Sequence, residues 1–417
     1  MTKIKQLIAR EILASGGSPS IEADVILENG LMGTASVSYG ASAGSKEAFV
    51  LLDSNTQRYN GKGMLKAVNN INEKIAPVLI GKNVTDQRGI DKLMIDLDGT
   101  ENKSSLGANA ILAVSMAVAR AGALDSNLEL FAYLKSSYSL PATRYPLPMP
   151  LAVLIEGGVH ADNSTDLQEY ILAVTKQQSA KENVRMMEEI YQTTKAILKT
   201  KNFNTNVGNE GAFAPAGIAN NELPLQIITE AIKKAGYTPL TDAGIYIDAA
   251  SSEFYKNDTY TLTCENQNLS SAELTAMYVN WFQKYPIVAL EDGLSEFDWG
   301  NWPKLMPVAG KVKIVADDLT VTNTKLWQKA IDQKCANAIL IKLNQAGTVS
   351  ETVDCCLLAN KYSLTTIPSH RGGGETNDTF LVDLAVAVGS EWIKVGPTRG
   401  ERVCKYNRLM RIEEILK

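Results

Sequence analysis

Short apolar runs alternate with amphipathic helical patterns through the later part of the chain, and this repetition constrains the fold more than any other feature. The clearest runs are "AGIYIDAA", "PIVALEDG", "VKIVADD", "NAILIKLNQ", "LTTIPSH" and "WIKVG". A strand followed by a helix, repeated many times, is typical of parallel βα units, and so many repeats favour a closed βα barrel.

The 417-residue length allows a second domain, because single cores usually stop growing at roughly 250–300 residues. Up to about residue 140 the patterns are mixed: "EADVILENGLMGTASV" and "EAFVLLD" alternate as antiparallel strands do, whereas "LKAVNNINEKIAPVLI" and "NAILAVSMAVARAGAL" have helical spacing. The Pro-rich "YPLPMP" then marks a boundary. We therefore predict an α/β chain with an N-terminal α+β lid or capping domain, residues 1–140, and a βα (TIM-like) barrel, residues 141–417.

Charged side chains follow the apolar runs at or just past their C-terminal ends. They are Asp248, Glu291, Asp317, Lys342, His370 and Lys394. In a βα barrel these ends meet at one mouth, where active sites are built. One acidic residue at a strand end is usually a helix cap or a solvated turn, but six charged or ionisable residues in succession indicate a site.

Three converging carboxylates repel one another unless a cation lies between them. Asp248, Glu291 and Asp317 offer only oxygen ligands, which suit a hard divalent ion, Mg²⁺ before Zn²⁺. A lysine facing such a metal site suggests removal of a proton next to a carboxylate. We expect Lys342 to be that base, with a pKa lowered by Lys394 and the metal.

An elimination also needs an acid to protonate the leaving hydroxyl group. Two stretches supply candidates: "LQEYIL" contains Gln168 and Glu169, and "NVGNEGAFAP" contains Glu210 in a glycine-flanked turn. The chain has only two histidines. Both His160, in "EGGVHADN", and His370 follow apolar runs that indicate strands, so both are candidates for the same mouth.

Composition excludes several partner classes. The formal net charge is -5 and no basic stretch could follow a phosphate backbone, so we expect no nucleic-acid partner. The first 25 residues lack the apolar stretch of about 7–15 residues that a secretory signal needs, so we expect a cytoplasmic protein. "GANAILAVSMAVARAGAL" is too short and too interrupted for a membrane span and predicts a buried helix. The five cysteines lack metal-type spacing and indicate reduced thiols.

Many segments of the chain resemble the signatures of the enolase family, in the family's order. They are "GASAGSKEA", "MIDLDGTENKSSLGANAILAVSMA", "GGVHADN", "YPIVALEDG", "ADDLTVTNT", "ILIKLNQAGTVSET", "SHR" and "KYNRLMRIEEIL". The resemblance covers nearly the whole chain. It implies a small α+β domain followed by a βα barrel with unusual first strands.

The resemblance also implies a role for each matching residue. Asp248, Glu291 and Asp317 would hold the tighter of two Mg²⁺ ions, and Ser42 would reach the second when a lid closes. Lys342 would be the base and Glu210 the acid, with Glu169 beside it and His160 in the mobile lid. The substrate would contact Gln168, His370, Arg371, Gly372, Lys394 and Ser42. Family members dehydrate 2-phosphoglycerate to phosphoenolpyruvate in glycolysis, usually as homodimers or larger homo-oligomers.

The chain departs from the family patterns mainly around the same site. The lid pattern SGASTG is "YGASAG" here, with Tyr39 and Ala43 replacing a serine and a threonine. NGG becomes "EGG" at Glu156, GDEGG becomes "GNEGA" at Asn209, and SRGNP becomes "SGGSP" at Gly16. A carboxylate directly before Glu210 would raise the pKa of that acid, so we predict that Asn209→Asp moves the acidic limb of the pH-rate profile upward.

The largest departure is "SHRGGGET", where the family has SHRSGET. The segment is one residue longer and lacks the serine that, in the family, binds the phosphoryl group. Losing one hydrogen bond to a charged group costs about 1.5–3 kcal/mol, or about ten- to a hundredfold in binding, which is too little to exclude enolase activity. Adjacent glycines also make room for a close backbone approach.

Three functions stay open at this point. The first is an enolase with a relaxed phosphate pocket. The second is an enolase-like dehydratase of a phosphorus-substituted analogue, similar to the carboxyphosphonoenolpyruvate synthases of phosphonate biosynthesis. The third is a non-catalytic relative kept as a binding protein, which loss of Lys342, Glu210 or a metal ligand would have favoured. None of these residues is lost.

Overall fold

The N-terminal part of the chain is a three-stranded antiparallel sheet covered by helices. A computed structural model describes residues 2–38, 40, 44–141 and 147–417. The sheet contains β1 (Ile4–Leu13), β2 (Pro19–Leu27) and β3 (Met32–Ser36) in that order. Strand β1 was not predicted, since charged residues interrupt its apolar positions. The α+β character predicted for this part is confirmed.

The helices of this part pack around the apolar helix α4 (Ala108–Asp125). The others are α1 (Leu65–Asn70), which continues through a π-helical turn (Ile71–Ile75) into α2 (Ala76–Leu79), then α3 (Gln87–Asp98) and α5 (Leu130–Ser137). In the part of the chain that the structure describes, α4 is the one helix long and apolar enough to cross a membrane, but 83% of it is buried inside the protein. The prediction of a buried helix is confirmed. A Cβ on Gly33 would lie 2.3 Å from the backbone nitrogen of Ala121, so this glycine lets β3 pack directly on α4.

The segment 47–53, predicted as a strand, is not one in the structure. It is an extended segment whose backbone is held by single hydrogen bonds rather than by a neighbouring strand. The N–H of Phe49 donates to the carbonyl of Asn102, and the N–H of Leu51 donates to the side chain of Asn109. Alternating apolar residues indicate one buried face, but they do not reveal whether a partner strand exists.

Residues beyond 147 form the predicted barrel. Its eight strands, in their order around the ring, are β4 (Met149–Glu156), β5 (Glu169–Val174), β6 (Ala243–Asp248), β10 (Ile287–Glu291), β11 (Lys313–Ala316), β12 (Ala338–Ile341), β13 (Thr365–Pro368) and β14 (Trp392–Lys394). A bridge between Ser369 and Lys394 joins the last two strands and closes the ring. Between β6 and β10 the chain forms a small separate sheet of β7 (Tyr255–Lys256), β8 (Thr259–Leu262) and β9 (Gln267–Leu269).

Strand β5 runs against its two neighbours, whereas the remaining barrel strands pair in parallel. Strands β4 and β5 therefore form a hairpin, and residues 157–168, which join them, lie at the barrel mouth. A parallel strand would have needed a crossover of a dozen or more residues outside the barrel. This hairpin is the feature that the repeat pattern alone did not reveal.

Helices surround the barrel strands. They are α6 (Ala180–Thr200), α7 (Leu223–Lys234), α8 (Ser271–Lys284), α9 (Trp302–Leu305), α10 (Thr324–Asp332), α11 (Leu343–Ala346), α12 (Val349–Lys361), α13 (Phe380–Val388) and α14 (Arg402–Leu416). Ser179, Ser270, Asn323 and Thr348 cap four of them by accepting backbone N–H groups, as short polar side chains do at helix starts. The predicted division after residue 140 lies next to residues 142–146, outside the described part, and stays a prediction.

Candidate active site at the barrel mouth

Four acidic residues lie side by side across neighbouring strands at the mouth. Glu156 is paired in register with Glu169, Glu169 with Asp248, and Asp248 with Glu291. Three of them end their strands, but Glu169 begins β5 because that strand runs in the opposite direction. All four are buried. The fold therefore places four carboxyl groups close together where water cannot screen them fully.

Lys394 neutralises part of this acidic row. Its Nζ lies 2.9 Å from Glu169 Oε2, 3.0 Å from Asp248 Oδ2 and 2.8 Å from Glu291 Oε2. Burial lowers the pKa of Lys394, but the three carboxylates outweigh burial and hold it well above its usual value. Burial, followed by the charge of Asp248, raises the pKa of Glu291 well above its usual value. One ammonium group therefore offsets only part of the negative charge of the row.

Lys342 lies beside the row and pairs with Asp317. The other oxygen of Asp317 accepts a 2.9 Å hydrogen bond from Gln345 Nε2. Burial lowers the pKa of Lys342, yet Asp317 outweighs both burial and the nearby cations, and the pKa is raised. The expectation of a lowered pKa counted Lys394 and a bound metal but not the carboxylate in direct contact with Lys342.

A glutamate from the N-terminal part reaches into the mouth. Glu47 Oε1 accepts a 2.9 Å hydrogen bond from Arg371 Nη1 and a 3.2 Å one from Gln345 Nε2. A Cβ on Gly40 would lie 2.0 Å from Arg371 Nη2, so the backbone on one flank of the lid sequence also lies against this guanidinium. The N-terminal part thus completes the site rather than merely covering it.

Both histidines of the chain lie beside Glu210. His370 Nε2 lies 3.0 Å from Glu210 Oε2, and His160 Nδ1 lies 3.9 Å from Glu210 Oε1 and 3.4 Å from Glu169 Oε1. Glu375 pairs with the other nitrogen of His370. Burial lowers the pKa of His160, but the facing carboxylates of Glu169 and Glu210 outweigh it and raise that pKa to about 9.

The charge state of Glu210 differs from the expectation of a protonated acid. Burial raises its pKa, but the facing His370 outweighs burial and holds the pKa below its usual value. In turn, Glu375 and Glu210 outweigh burial at His370 and raise the pKa of that histidine. Both shifts favour a proton on the histidine side of the pair.

Two departures from the family patterns adjoin Glu210. Glu156 accepts backbone hydrogen bonds of 2.9 Å from the N–H groups of both Gly208 and Glu210. Burial, followed by the charge of Glu210, raises the pKa of Glu156 to about 8. Asn209 is exposed, and its carbonyl accepts a 3.5 Å hydrogen bond from Arg402. The acid gained at residue 156 is buried, whereas the site of the acid lost at residue 209 faces solvent.

The glycine segment after Arg371 packs directly against Glu210. A Cβ on Gly372 would lie 1.2 Å from Glu210 Oε1, so no larger side chain fits there in this arrangement. Gly373 has a φ of +76°, which glycine adopts without strain. A Cβ on Gly16, where the family has an arginine, would lie 3.2 Å from the carbonyl oxygen of Gly373. The two positions at which this chain lacks a family residue, the serine after Arg371 and the arginine at residue 16, are therefore close together in the fold.

Two adjacent cavities lie between these groups. One of about 60 Å³ is lined by acidic residues that include Glu47, Asp292 and Asp317. The other, of about 30 Å³, is lined by His160, Glu210, Arg371 and further site residues. Gln168, Asp248 and Lys342 line both cavities. The predicted base is therefore placed between the acidic groups and the Glu210 cluster.

The donor set of the acidic cavity fits a hard divalent cation. Glu291 does not line this cavity but is paired with Asp248, which does, and Glu291 Oε1 is buried with no hydrogen-bond partner among the described residues. Asp292, Asp317 and Asp318 bring carboxylate oxygens within 4.8 Å of one another. Carboxylate oxygens in excess of the nearby cations are what Mg²⁺ prefers. Asp248 and Glu291 meet through the ammonium of Lys394, so the exact ligand set stays a prediction.

Most of the predicted site residues meet at this mouth. The exception is Ser42, which lies outside the described residues, as do Tyr39 and Ala43. Sequence reasoning missed Glu47, Asp292 and Glu375 as members of the site. Glu47 lies inside a stretch whose resemblance was noted, Glu375 lies four residues after the matching "SHR", and Asp292 directly follows Glu291. Proximity to a recognised motif was therefore the signal available.

Comparison with known proteins gives a consistent result over the whole chain. The model of the enolase N-terminal domain matches residues 4–134, and the model of the enolase C-terminal TIM barrel domain matches residues 144–417. A curated relative, the enolase of Elusimicrobium minutum (strain Pei191), is 50% identical over 418 aligned residues, covering 100% of this chain and 97% of the relative.

Proposed function

The chain belongs to the enolase family and is an enolase-type hydro-lyase, and we propose that it converts 2-phosphoglycerate to phosphoenolpyruvate in glycolysis. The observation that carries this proposal is the placement of Lys342 and Glu210 on the wall of one cavity. The cytoplasmic location and the homodimer or larger homo-oligomer implied by the resemblance are part of the same proposal.

Lys342 is the proposed base. Its Nζ would accept the proton from the carbon next to the substrate carboxylate, and the electron pair left behind would form the new double bond as hydroxide leaves. Because the ammonium is paired with Asp317, Lys342 must release its own proton first. A smaller negative charge on the Asp317 carboxylate would lower the pKa of Lys342 and favour that release.

Glu210 and His370 are proposed to supply the proton that converts the departing hydroxide to water. His370 Nε2 and Glu210 Oε2 lie 3.0 Å apart, so a small reorientation would bring them into hydrogen-bonding geometry and let the proton pass to Glu210, which would deliver it. His160 and Glu169 adjoin the same carboxylate and would orient the leaving group. The reaction then balances: one proton is taken by Lys342 and one is given to hydroxide.

Cationic groups around the same cavity would hold the anionic substrate. Arg371 and Lys394 supply fixed positive charge, while Gln168, His370 and the backbone of Gly372 supply further polar contacts. Ser42 is proposed to join them, as the resemblance implies. Asp248, Glu291 and Asp317 would hold one of two Mg²⁺ ions and Ser42 the other; bound Mg²⁺ would stabilise the negative charge that develops on the substrate carboxylate.

A second substrate class is favoured by one observation. Gly372 leaves no room for the family's serine beside Glu210, so one phosphate contact is absent from this segment. A phosphorus-substituted analogue, such as the substrate of a carboxyphosphonoenolpyruvate synthase, would use the same base and acid. The reaction type is therefore common to both proposals, and only the group on phosphorus differs.

The test is a direct assay. Purified chain, Mg²⁺ and 2-phosphoglycerate should produce the ultraviolet absorbance of an enol phosphate, and chelation of Mg²⁺ should abolish it. Binding of 2-phosphoglycerate without turnover, together with turnover of a phosphonate analogue, would favour the second class. Failure to bind Mg²⁺ or either substrate would overturn both proposals.

A further inference from the structure

Glu156 stands where the family pattern has a neutral amide, and it is completely buried. Its two carboxylate oxygens accept the backbone N–H groups of Gly208 and Glu210, each at 2.9 Å. A Cβ on Gly208 would lie 2.7 Å from the carboxyl carbon of Glu156, so a glycine at residue 208 permits this close approach. The Glu156 side chain thus holds the backbone of the turn that carries Glu210 through two hydrogen bonds.

The same turn is attached to strand β4 through its backbone. The N–H of Glu156 donates to the carbonyl of Phe213 at 2.9 Å, and the N–H of Phe213 donates to Leu154 at 3.0 Å. Residues 208–213 therefore have both backbone and side-chain attachments to the end of β4. A carboxylate can accept two N–H groups at once, whereas an asparagine or glutamine offers only one accepting oxygen and an NH₂ group that repels the second.

The departures at residues 156 and 209 are complementary. The chain gains a buried acid on one side of Glu210 and loses an acid on the exposed side. The groups that act electrostatically on Glu156, or on which it acts, are Glu169, His160, Glu210, Arg402 and Tyr191. The number of carboxyl groups beside Glu210 is therefore conserved, but one of them has moved from the turn to the strand end.

We propose that Glu156 is a positioning residue for Glu210, which holds the turn by two backbone N–H groups and replaces the acidic neighbour that the family pattern places at residue 209. This inference rests on the proposed function, because it assumes that Glu210 delivers a proton. Glu156 is not among the described residues that line the cavity beside Glu210. It therefore acts through Glu210 and not on the substrate.

The experiment compares Glu156→Gln with the wild type in the Mg²⁺-dependent dehydration of 2-phosphoglycerate. We expect kcat to fall about tenfold or more, because misplacing a catalytic group by about 1 Å can cost about a hundredfold. KM should stay within about twofold, because the substrate contacts are untouched. Only the ionised carboxylate accepts both N–H groups, and burial and Glu210 raise the pKa of Glu156 to about 8. The wild-type kcat should therefore rise as the pH passes that value, an inflection that the variant lacks, and the two kcat values are compared above it.

Asp91→Asn is the matched control. Asp91 is also a buried carboxyl whose pKa burial raises, to about 6, and it accepts the backbone N–H of Ser350, but it lies on α3 of the N-terminal part. Its kcat profile should match that of the wild type. A Glu156→Gln variant with unchanged kcat and an unchanged profile would overturn the inference alone, whereas an inactive wild type would overturn the proposed function and the inference with it.

Two further variants keep the inference testable if Glu156→Gln does not fold. Glu156→Asp keeps the acid but shortens it by one methylene, so kcat should fall while the inflection remains. A wild-type kcat in this variant would mean that the two hydrogen bonds from Glu156 to the turn do not position Glu210. Glu156→Asn combined with Asn209→Asp restores the family pattern and should turn over at least about threefold faster than Glu156→Asn alone. No recovery would contradict the exchange of the acid between residues 209 and 156.

Discussion

The barrel mouth has two sides that are built differently. On the strand side, Glu169, Asp248, Glu291 and Lys394 occupy strand ends whose register fixes their spacing. On the loop side, Glu210 and the glycine segment 372–374 occupy turns. The residues of the strand side match the family patterns except for Glu156, which ends β4 and holds the Glu210 turn, and the other departures adjoin the loop side. The position of a side chain that strand register fixes is hard to change. A side chain that acts on a turn, by contrast, can be supplied by a neighbouring element.

The largest effect should come from the strand side. Lys342→Ala should lower kcat by about a hundred- to ten-thousandfold, the usual contribution of a general base, and should abolish exchange of the substrate α-proton with solvent. Lys313→Ala removes a lysine that pairs with Glu391 at the opposite end of the barrel and should leave both measurements unchanged. Residual α-proton exchange in Lys342→Ala would mean that another group is the base.

Metal binding gives the second test of the strand side. Mg²⁺ at about 100 times its Kd should stabilise the wild type by about 2.7 kcal/mol, and Glu291→Gln should lose most of the resulting rise in Tm. Glu413→Gln changes a carboxylate that accepts the N–H of Ala180, away from the mouth. That control should lower Tm but keep the Mg²⁺-dependent rise. An undiminished rise in Glu291→Gln would remove Glu291 from the ligand set.

The glycine segment tests the loop side. Gly372→Ala places a Cβ where Glu210 Oε1 now lies, so the carboxylate must move, and kcat should fall about ten- to a hundredfold. Gly300→Ala is the matched control, because its Cβ meets nothing within 4 Å. If both variants keep wild-type kcat, the contact between Gly372 and Glu210 has no catalytic importance.

The buried acid at residue 156 predicts a dependence of stability on pH. The folded-state pKa of Glu156, about 8, lies above the usual value of 4.5. The wild type should therefore lose stability relative to Glu156→Gln as the pH rises from about 4.5 to about 8, because ionisation is easier in the unfolded chain. Thermal unfolding of both proteins across this range measures the difference. A constant difference would mean that the folded-state pKa is unshifted.

The smallest effect should come from Asn209→Asp. The side chain faces solvent, where water and salt screen the added charge. The acidic limb of the pH-rate profile should still move upward, but by less than about half a pH unit. A larger shift would show that residue 209 lies closer to Glu210 during turnover than it does in this structure.

The sequence predicted the strand side well and the loop side less well, for a physical reason. Strand ends in a barrel converge whatever the loops do, so Asp248, Lys342 and Lys394 could be assigned to one mouth from apolar periodicity alone. The reversed direction of β5 could not, because alternation along a strand does not reveal which way its neighbours run. Charge states were also missed: the lowered pKa of Glu210 depends on His370, 160 residues away in the chain.

Direct contacts, rather than residue types, decide these charge states. The pKa of Lys342 is raised because Asp317 touches it, and no spacing in the sequence shows that contact. The same holds for Glu47, whose pairing with Arg371 joins residues 324 positions apart. Motif recognition found the members of the site, and only the folded chain shows which members are paired.

The hairpin formed by β4 and β5 has a consequence for how the mouth can be altered. Because residues 157–168 leave and re-enter the barrel at the same end, their length is independent of every helix in the outer ring. Lengthening this connection would enlarge the cover over the cavity without shifting a single strand of the barrel. Substrate range could therefore change here by insertion, while the acidic row and Lys342 keep their places.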